Sequence, residues 1–129
     1  MTVVGAGVAG YADLVQRRQH GRYRIWFPVR VTGSAVDGMA VNHDISAGGM
    51  LIGLSARLEV GAAVEVRFSV PASSGGEHLL RGKVVRIEDN AEDPDGMWPY
   101  RMAVAFDDAD RDLIPVLEQA MAMLSKTAN

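Results

Sequence analysis

The residues best suited to chemistry in this chain are three arginines that lie close together before the first predicted strand. Arg17, Arg18 and Arg22 belong to the segment Arg17-Arg18-Gln19-His20-Gly21-Arg22, so two guanidinium groups are four residues apart and a third adjoins them. A guanidinium group is always charged, and it forks onto phosphate oxygens or onto the Hoogsteen edge of guanine. Three such groups suit one compact phosphodiester ligand. Taken alone, the cluster is more typical of a solvated basic arm.

A second polar group follows in the segment Asp44-Ile45-Ser46-Ala47-Gly48-Gly49. A carboxylate accepts hydrogen bonds from the N1–H and the amino group of guanine, and the hydroxyl of Ser46 adds a donor or acceptor beside it. Gly48 and Gly49 allow the backbone to approach a flat ring closely. Taken alone, this segment is more typical of an ordinary turn between two strands, in which glycine supplies a positive φ.

The charge distribution favours a specific anion site over a general polyanion surface. The chain of 129 residues has a formal net charge of −3, yet no acidic residue lies between Asp13 and Asp37. A local cationic segment in an acidic protein argues against nucleic acid as the partner. This segment carries five arginines, which are Arg17, Arg18, Arg22, Arg24 and Arg30.

The elements that must position these groups are mostly strands. Val64, Val66, Phe68 and Val70 alternate with polar residues, which is the period of a half-buried strand. Near Val84 and Val85 the apolar phase shifts, which predicts a bulge or a bend of the barrel wall. Six strands without intervening helices predict a mainly β fold, an antiparallel barrel or sandwich. They are expected at 23–31, 39–43, 50–54, 64–70, 79–88 and 100–107.

A C-terminal helix follows the strands. Leu113, Leu117, Ala120 and Leu124 recur at helical spacing, and Pro115 must lie in the first turn, where its missing N–H costs nothing. The helix is expected to plug or cover the barrel.

The arginine cluster and the Asp44–Gly49 segment together resemble the signature of the PilZ domain family, R-x-x-x-R followed by [D/N]-x-S-x-x-G. The matching residues are Arg18 and Arg22, then Asp44, Ser46 and Gly49. The likeness continues through the late strands at 82–87 and 100–106, and it covers roughly residues 16–124. The joint pattern is more specific than either half alone.

The resemblance implies a six-stranded antiparallel β-barrel with a C-terminal helix and a flexible N-terminal arm, which binds the bacterial second messenger cyclic di-GMP. By this analogy Arg18 and Arg22 hold phosphates and guanine edges, Asp44 and Ser46 read a guanine, and Gly49 keeps the turn tight, with Gly48 beside it. A cation at Arg17 goes with a stacked pair of ligand molecules in similar proteins. The chain would then act on an unidentified partner protein, with motility, biofilm or polysaccharide output.

The resemblance leaves other possibilities open. Some family members are nucleotide-independent interaction scaffolds, although these usually lack part of the signature. The oligomeric state, monomer or homodimer, and the number of bound ligands also stay open. Residues 1–15 are interpreted as a flexible leader and residues 16–129 as the barrel domain.

The remaining residues point away from an enzyme or a membrane protein. His43 and Asp44 are neighbours on a predicted strand, where they would face opposite sides, so they form no aligned triad with Ser46. The three histidines lack metal-ligand spacing, and the chain has no cysteine, so no metal or cofactor is expected. The sequence lacks a signal peptide or an apolar stretch that could span a bilayer. It therefore predicts a cytoplasmic protein without membrane insertion.

Overall fold

The strands close into a single antiparallel barrel in the computed structural model, which describes residues 22–34, 36–73, 75–92 and 95–128. Around the barrel the order of the strands is β1-β2-β3-β6-β5-β4, and β1 pairs with β4 to close it. The predicted six-stranded barrel and C-terminal helix are confirmed. The elements are β1 (Phe27–Gly33), β2 (Asp37–Ser46), β3 (Gly49–Leu54), β4 (Ala63–Ser69), β5 (Glu77–Asp89), β6 (Tyr100–Phe106) and α1 (Leu113–Ala128).

Period-2 alternation fills the barrel interior. In β4 the side chains of Val64, Val66 and Phe68 are buried, while their neighbours face outward, as the pattern predicts. Phe68 stacks on Phe27 of β1 with 5.3 Å between ring centroids. Met102 of β6 is completely buried. The barrel therefore has a packed apolar interior rather than a channel.

The helix α1 completes the core. Leu113, Leu117 and Ala120 are fully buried among the barrel residues. The helix begins at Leu113, and Pro115 lies in its first turn, as predicted. No helix in the described part of the chain is long and apolar enough to cross a membrane.

The first strand starts later than the sequence predicts. It was expected from residue 23, but regular pairing with β2 begins at Phe27. Ahead of it the buried amide of Asn42 donates from Nδ2 to the carbonyl oxygen of Ile25 at 2.7 Å. A side chain thus takes the place of a ladder hydrogen bond at this point.

Candidate functional site

The segment Asp44–Gly49 is a tight hairpin rather than a six-residue turn. Strand β2 runs through Ser46 and β3 begins at Gly49, so Ala47 and Gly48 alone form the turn. The hydroxyl of Ser46 accepts from the N–H of Gly48 at 3.2 Å and donates to the carbonyl oxygen of Gly49 at 3.4 Å. These bonds fix the Ser46 side chain at the mouth of the hairpin.

Gly49 is required here by close packing, not by a positive φ. Neither Gly48 nor Gly49 adopts the left-handed backbone conformation. A Cβ built on Gly49 would lie 2.4 Å from the carbonyl oxygen of Val104 in β6, whereas a Cβ on Gly48 meets only the Ser46 hydroxyl at 4.0 Å. Gly49 therefore lets β3 approach β6. The glycine is needed for this close approach and not for the positive φ that the sequence suggested.

Arg22 lies beside this hairpin. Its Nη1 is 2.7 Å from Oδ1 of Asp44, and the two residues are 22 positions apart in the chain. The Arg22 side chain is half exposed, while that of Asp44 is 19% exposed. The structure therefore brings together one member of the arginine cluster and the first polar residue of the second segment. Arg17 and Arg18 lie outside the described residues.

Tyr23 holds Arg22 in this position. Its backbone exchanges two hydrogen bonds with Ile45, at 2.9 and 3.0 Å, as an isolated antiparallel bridge. Its hydroxyl lies 3.5 Å from Oε2 of Glu118 in α1. Partial burial, together with the negative charge of Glu118, raises the pKa of Tyr23 above 10.0. Arg22 is thus anchored between the hairpin and the helix.

The hairpin opens onto a groove on the outer face of the barrel, with a volume of about 480 Å3. Its floor consists of Ala103 and Ala105 of β6, whose small side chains leave the space open. On one side stand Arg22, Asp44 and Ser46. The volume lies within the usual range of small-molecule pockets, about 300–1,000 Å3. We call this the hairpin groove; its remaining lining residues are Gly48, Gly49, Met50, Leu51, Val85, Arg86 and Val104.

The opposite side of the hairpin groove is formed by Val85 and Arg86 of β5, which the sequence did not single out as site residues. The pairing of β5 with β6 shifts between Val84 and Arg86, which confirms the predicted bulge. Strict alternation would turn Arg86 inward after the buried Val84, but the extra residue leaves both Val85 and Arg86 exposed. Two features of the sequence could have indicated this side of the groove. One is the shift of the apolar phase at Val84 and Val85, and the other is the pair of small residues in β6, Ala103 and Ala105.

His43 has surroundings different from those of Asp44. It lies in a second register shift, between Asn42 and Asp44, and its ring makes an edge contact with Trp26 at 4.6 Å between centroids. Burial, and next the positive charge of Arg101, lower the pKa of His43 below 6.5. Its Nε2 is buried with no hydrogen-bond partner. No hydrogen bond from Nε2 therefore links His43 to Asp44 or Ser46.

Acidic and histidine residues form no metal centre among the residues that the structure describes, since no group of three or more could hold an ion.

The fold defines the class of the protein, a small six-stranded antiparallel β-barrel domain with a C-terminal helix. The PilZ domain family model matches residues 16–122, a range that includes Arg17 and Arg18. The chain belongs to the PilZ domain family.

Three solved structures are similar to this chain, and the first of them shares its fold. The Bacillus subtilis inhibitor of motility (MotI/DgrA) aligns over 88% of this chain and 54% of its own, with 17% identity and a TM-score of 0.65. This chain therefore spans about half the length of that protein. The PilZ domain of CeSA from a cellulose-synthesizing bacterium aligns over 84% and 98%, with 18% identity and a TM-score of 0.49. The Borreliella burgdorferi PlzA protein, in complex with c-di-GMP, aligns over 84% and 44%, with 15% identity and a TM-score of 0.49. No curated protein matches the chain.

Proposed function

We propose that this protein is a cyclic di-GMP receptor that has no catalytic activity of its own and regulates a partner protein. The observation that carries the proposal is the 2.7 Å contact between Arg22 and Asp44 at the hairpin groove. It joins the two halves of a complete PilZ signature at one open site. Family membership and the size of the groove support the same ligand.

The chemistry assigns a part to each residue. Asp44 and Ser46 meet one guanine: the carboxylate accepts from N1–H and the amino group, and the hydroxyl adds a further bond. Arg18 and Arg22 fork onto phosphate oxygens or a guanine edge. Gly49 keeps β3 close to β6. Gly48 has no side chain, so it leaves the edge of the groove open to the ligand. Arg17 extends the cationic surface, and we assign to it the binding of a second, stacked ligand molecule.

Binding requires Arg22 and Asp44 to exchange partners. The pair is satisfied internally, so a guanine that takes the carboxylate releases the guanidinium to a phosphate. Arg22 keeps an anionic partner in this exchange, because a phosphate of the ligand takes the place of the Asp44 carboxylate beside it. Because Arg22 has different partners in the free and the bound protein, the ligand binds the two conformations with different affinity. A conformational response requires this difference.

Two routes lead from the hairpin to the C-terminal helix. The carbonyl oxygens of Ala47 and Gly48 accept from the N–H groups of Asp110 and Phe106, at 2.8 and 2.9 Å. Tyr23, next to Arg22, lies near Glu118 of α1. Movement of the arm or the hairpin therefore alters the packing of the helix, and we propose this side of the barrel as the surface that a partner protein reads.

Titration calorimetry of the full chain with cyclic di-GMP tests the proposal. Saturable binding is expected for the wild type, and Arg18→Ala and Asp44→Ala should each weaken it by about 2–5 kcal/mol, because a charge-assisted contact is lost. That corresponds to roughly 30-fold or more in Kd. Arg67→Ala is the control, since Arg67 is an exposed, ion-paired arginine on β4 outside the groove. Absence of saturable heat for the wild type would refute the proposal.

A further inference from the structure

The side of the hairpin groove opposite Arg22 carries a second cation, Arg86. It belongs to β5, which is separated from the hairpin strands by β6. Its position opposite Ala103 in the strand pairing places it directly across the groove floor from Leu51 of β3, which also pairs with Ala103. Between Arg22 and Arg86 the floor is lined by small and aliphatic side chains.

The bulge at Val85 has a specific consequence for charge. It turns Arg86 from the interior to the groove, and Ile87 then packs against the core in its place. The other side chain exposed by the bulge, Val85, is 53% accessible and lines the same groove. The bulge thus presents an apolar surface and a guanidinium side by side.

The internal partner of Arg86 holds it weakly. Its Nε lies 3.9 Å from Oε2 of Glu88, and the two side chains are 62% and 46% exposed. An exposed ion pair at this distance contributes little, so a stronger anion displaces Glu88 at small cost. The guanidinium is therefore available to an anionic ligand in the groove.

We propose that Arg86 is a further ligand-binding residue, which holds a phosphate of the bound cyclic dinucleotide from the side opposite Arg22. This inference rests on the proposed function. A cyclic dinucleotide carries two phosphodiester charges on opposite edges of its ring. If Arg22, Asp44 and Ser46 hold one guanylate half, the second phosphate faces β5, where Arg86 supplies a fork that suits phosphate oxygens. Val85 covers the adjoining apolar surface.

Calorimetric titration of five proteins with cyclic di-GMP tests this assignment: wild type, Asp44→Ala, Arg86→Ala, Arg86→Lys and Arg81→Ala. Arg81 is the matched control because it lies on β5, is 78% exposed and pairs with an acid, Glu65, but does not line the hairpin groove. We expect Arg86→Ala to raise Kd at least tenfold, Arg86→Lys to fall between it and the wild type, and Arg81→Ala to stay within twofold of the wild type.

The outcomes separate this inference from the proposed function. If the wild type does not bind, the proposed function fails and the inference fails with it. If the wild type binds and Asp44→Ala weakens binding, but Arg86→Ala matches Arg81→Ala, the role of Arg86 alone is overturned. Arg86→Gln, which keeps much of the side-chain length without the charge, gives the same comparison if Arg86→Ala does not fold.

Discussion

Nη1 of Arg22 and Oδ1 of Asp44 lie 2.7 Å apart, and this pair connects the segment before the barrel to the end of β2. Half of the Arg22 side chain is exposed, so solvent screens the attraction and the pair contributes little to folding. Arg22→Ala should therefore change the free energy of unfolding by less than about 1 kcal/mol. Urea denaturation followed by circular dichroism measures this value.

The same variant should bind cyclic di-GMP much more weakly. We expect a loss on the order of 2–5 kcal/mol in binding free energy, because Arg22 contacts the ligand directly in the proposed complex. A large loss of stability combined with unchanged affinity would contradict this assignment, because Arg22 would then stabilise the fold and not contact the ligand.

Gly49 and Gly48 offer a matched pair of substitutions. In Gly49→Ala the new Cβ collides with the backbone of Val104, so β3 and β6 must separate, at a cost of about 1–3 kcal/mol of stability. In Gly48→Ala the Cβ makes only an ordinary van der Waals contact with the Ser46 hydroxyl, at 4.0 Å, and the change in stability should stay within about 0.5 kcal/mol. Urea denaturation of both variants checks this difference, and equal stabilities would contradict the packing role of Gly49.

The strand faces and the helix could be read from the sequence because they follow regular periods. Alternation correctly assigned Val64, Val66 and Phe68 to the core, and helical spacing correctly assigned Leu113 and Leu117. The resemblance to the PilZ family supplied closure of the sheet into a barrel, since alternation alone fits a sandwich equally well. Periodicity is a local property, and it holds wherever no tertiary contact interrupts it.

Irregular positions could not be read in this way. The run from Tyr23 predicts a strand, yet regular pairing with β2 begins only at Phe27, and the carbonyl oxygen of Ile25 accepts from the Asn42 side chain instead. The groove role of Arg86 depends on where the bulge falls and on the small residues of β6 beside it. Both are contacts between segments distant in sequence, which no local pattern specifies.

The partly buried position of His43 predicts a pH dependence of stability. Its pKa is lower in the folded protein than the ordinary 6.5, so the unfolded chain binds more protons there as the pH falls. The contribution of His43 to stability is therefore complete above pH 6.5 and declines as the pH drops below it. Urea denaturation at pH 7.5 and pH 5.5 should show a smaller decrease in stability for His43→Gln than for the wild type. Equal decreases in the two proteins would contradict this assignment.

Two leucines of α1 test how the helix is held. Leu117 is fully buried, so Leu117→Ala should cost about 2–5 kcal/mol through lost burial and a residual cavity. Leu124 is 38% exposed and serves as the control, for which we expect a clearly smaller loss of about 1 kcal/mol or less. Thermal and urea denaturation measure both, and similar losses for the two variants would mean that the helix is not anchored through Leu117.

Amide chemical-shift mapping of the chain during titration with cyclic di-GMP locates the bound ligand. We expect saturable shifts concentrated on the hairpin groove, at Gly48, Gly49, Arg86, Ala103 and Ala105. A second, apolar groove on the barrel wall, lined by Trp26, Met39 and Trp98 among others, provides the internal comparison. Shifts confined to that apolar groove, or no saturable shifts at all, would show that cyclic di-GMP does not bind in the hairpin groove.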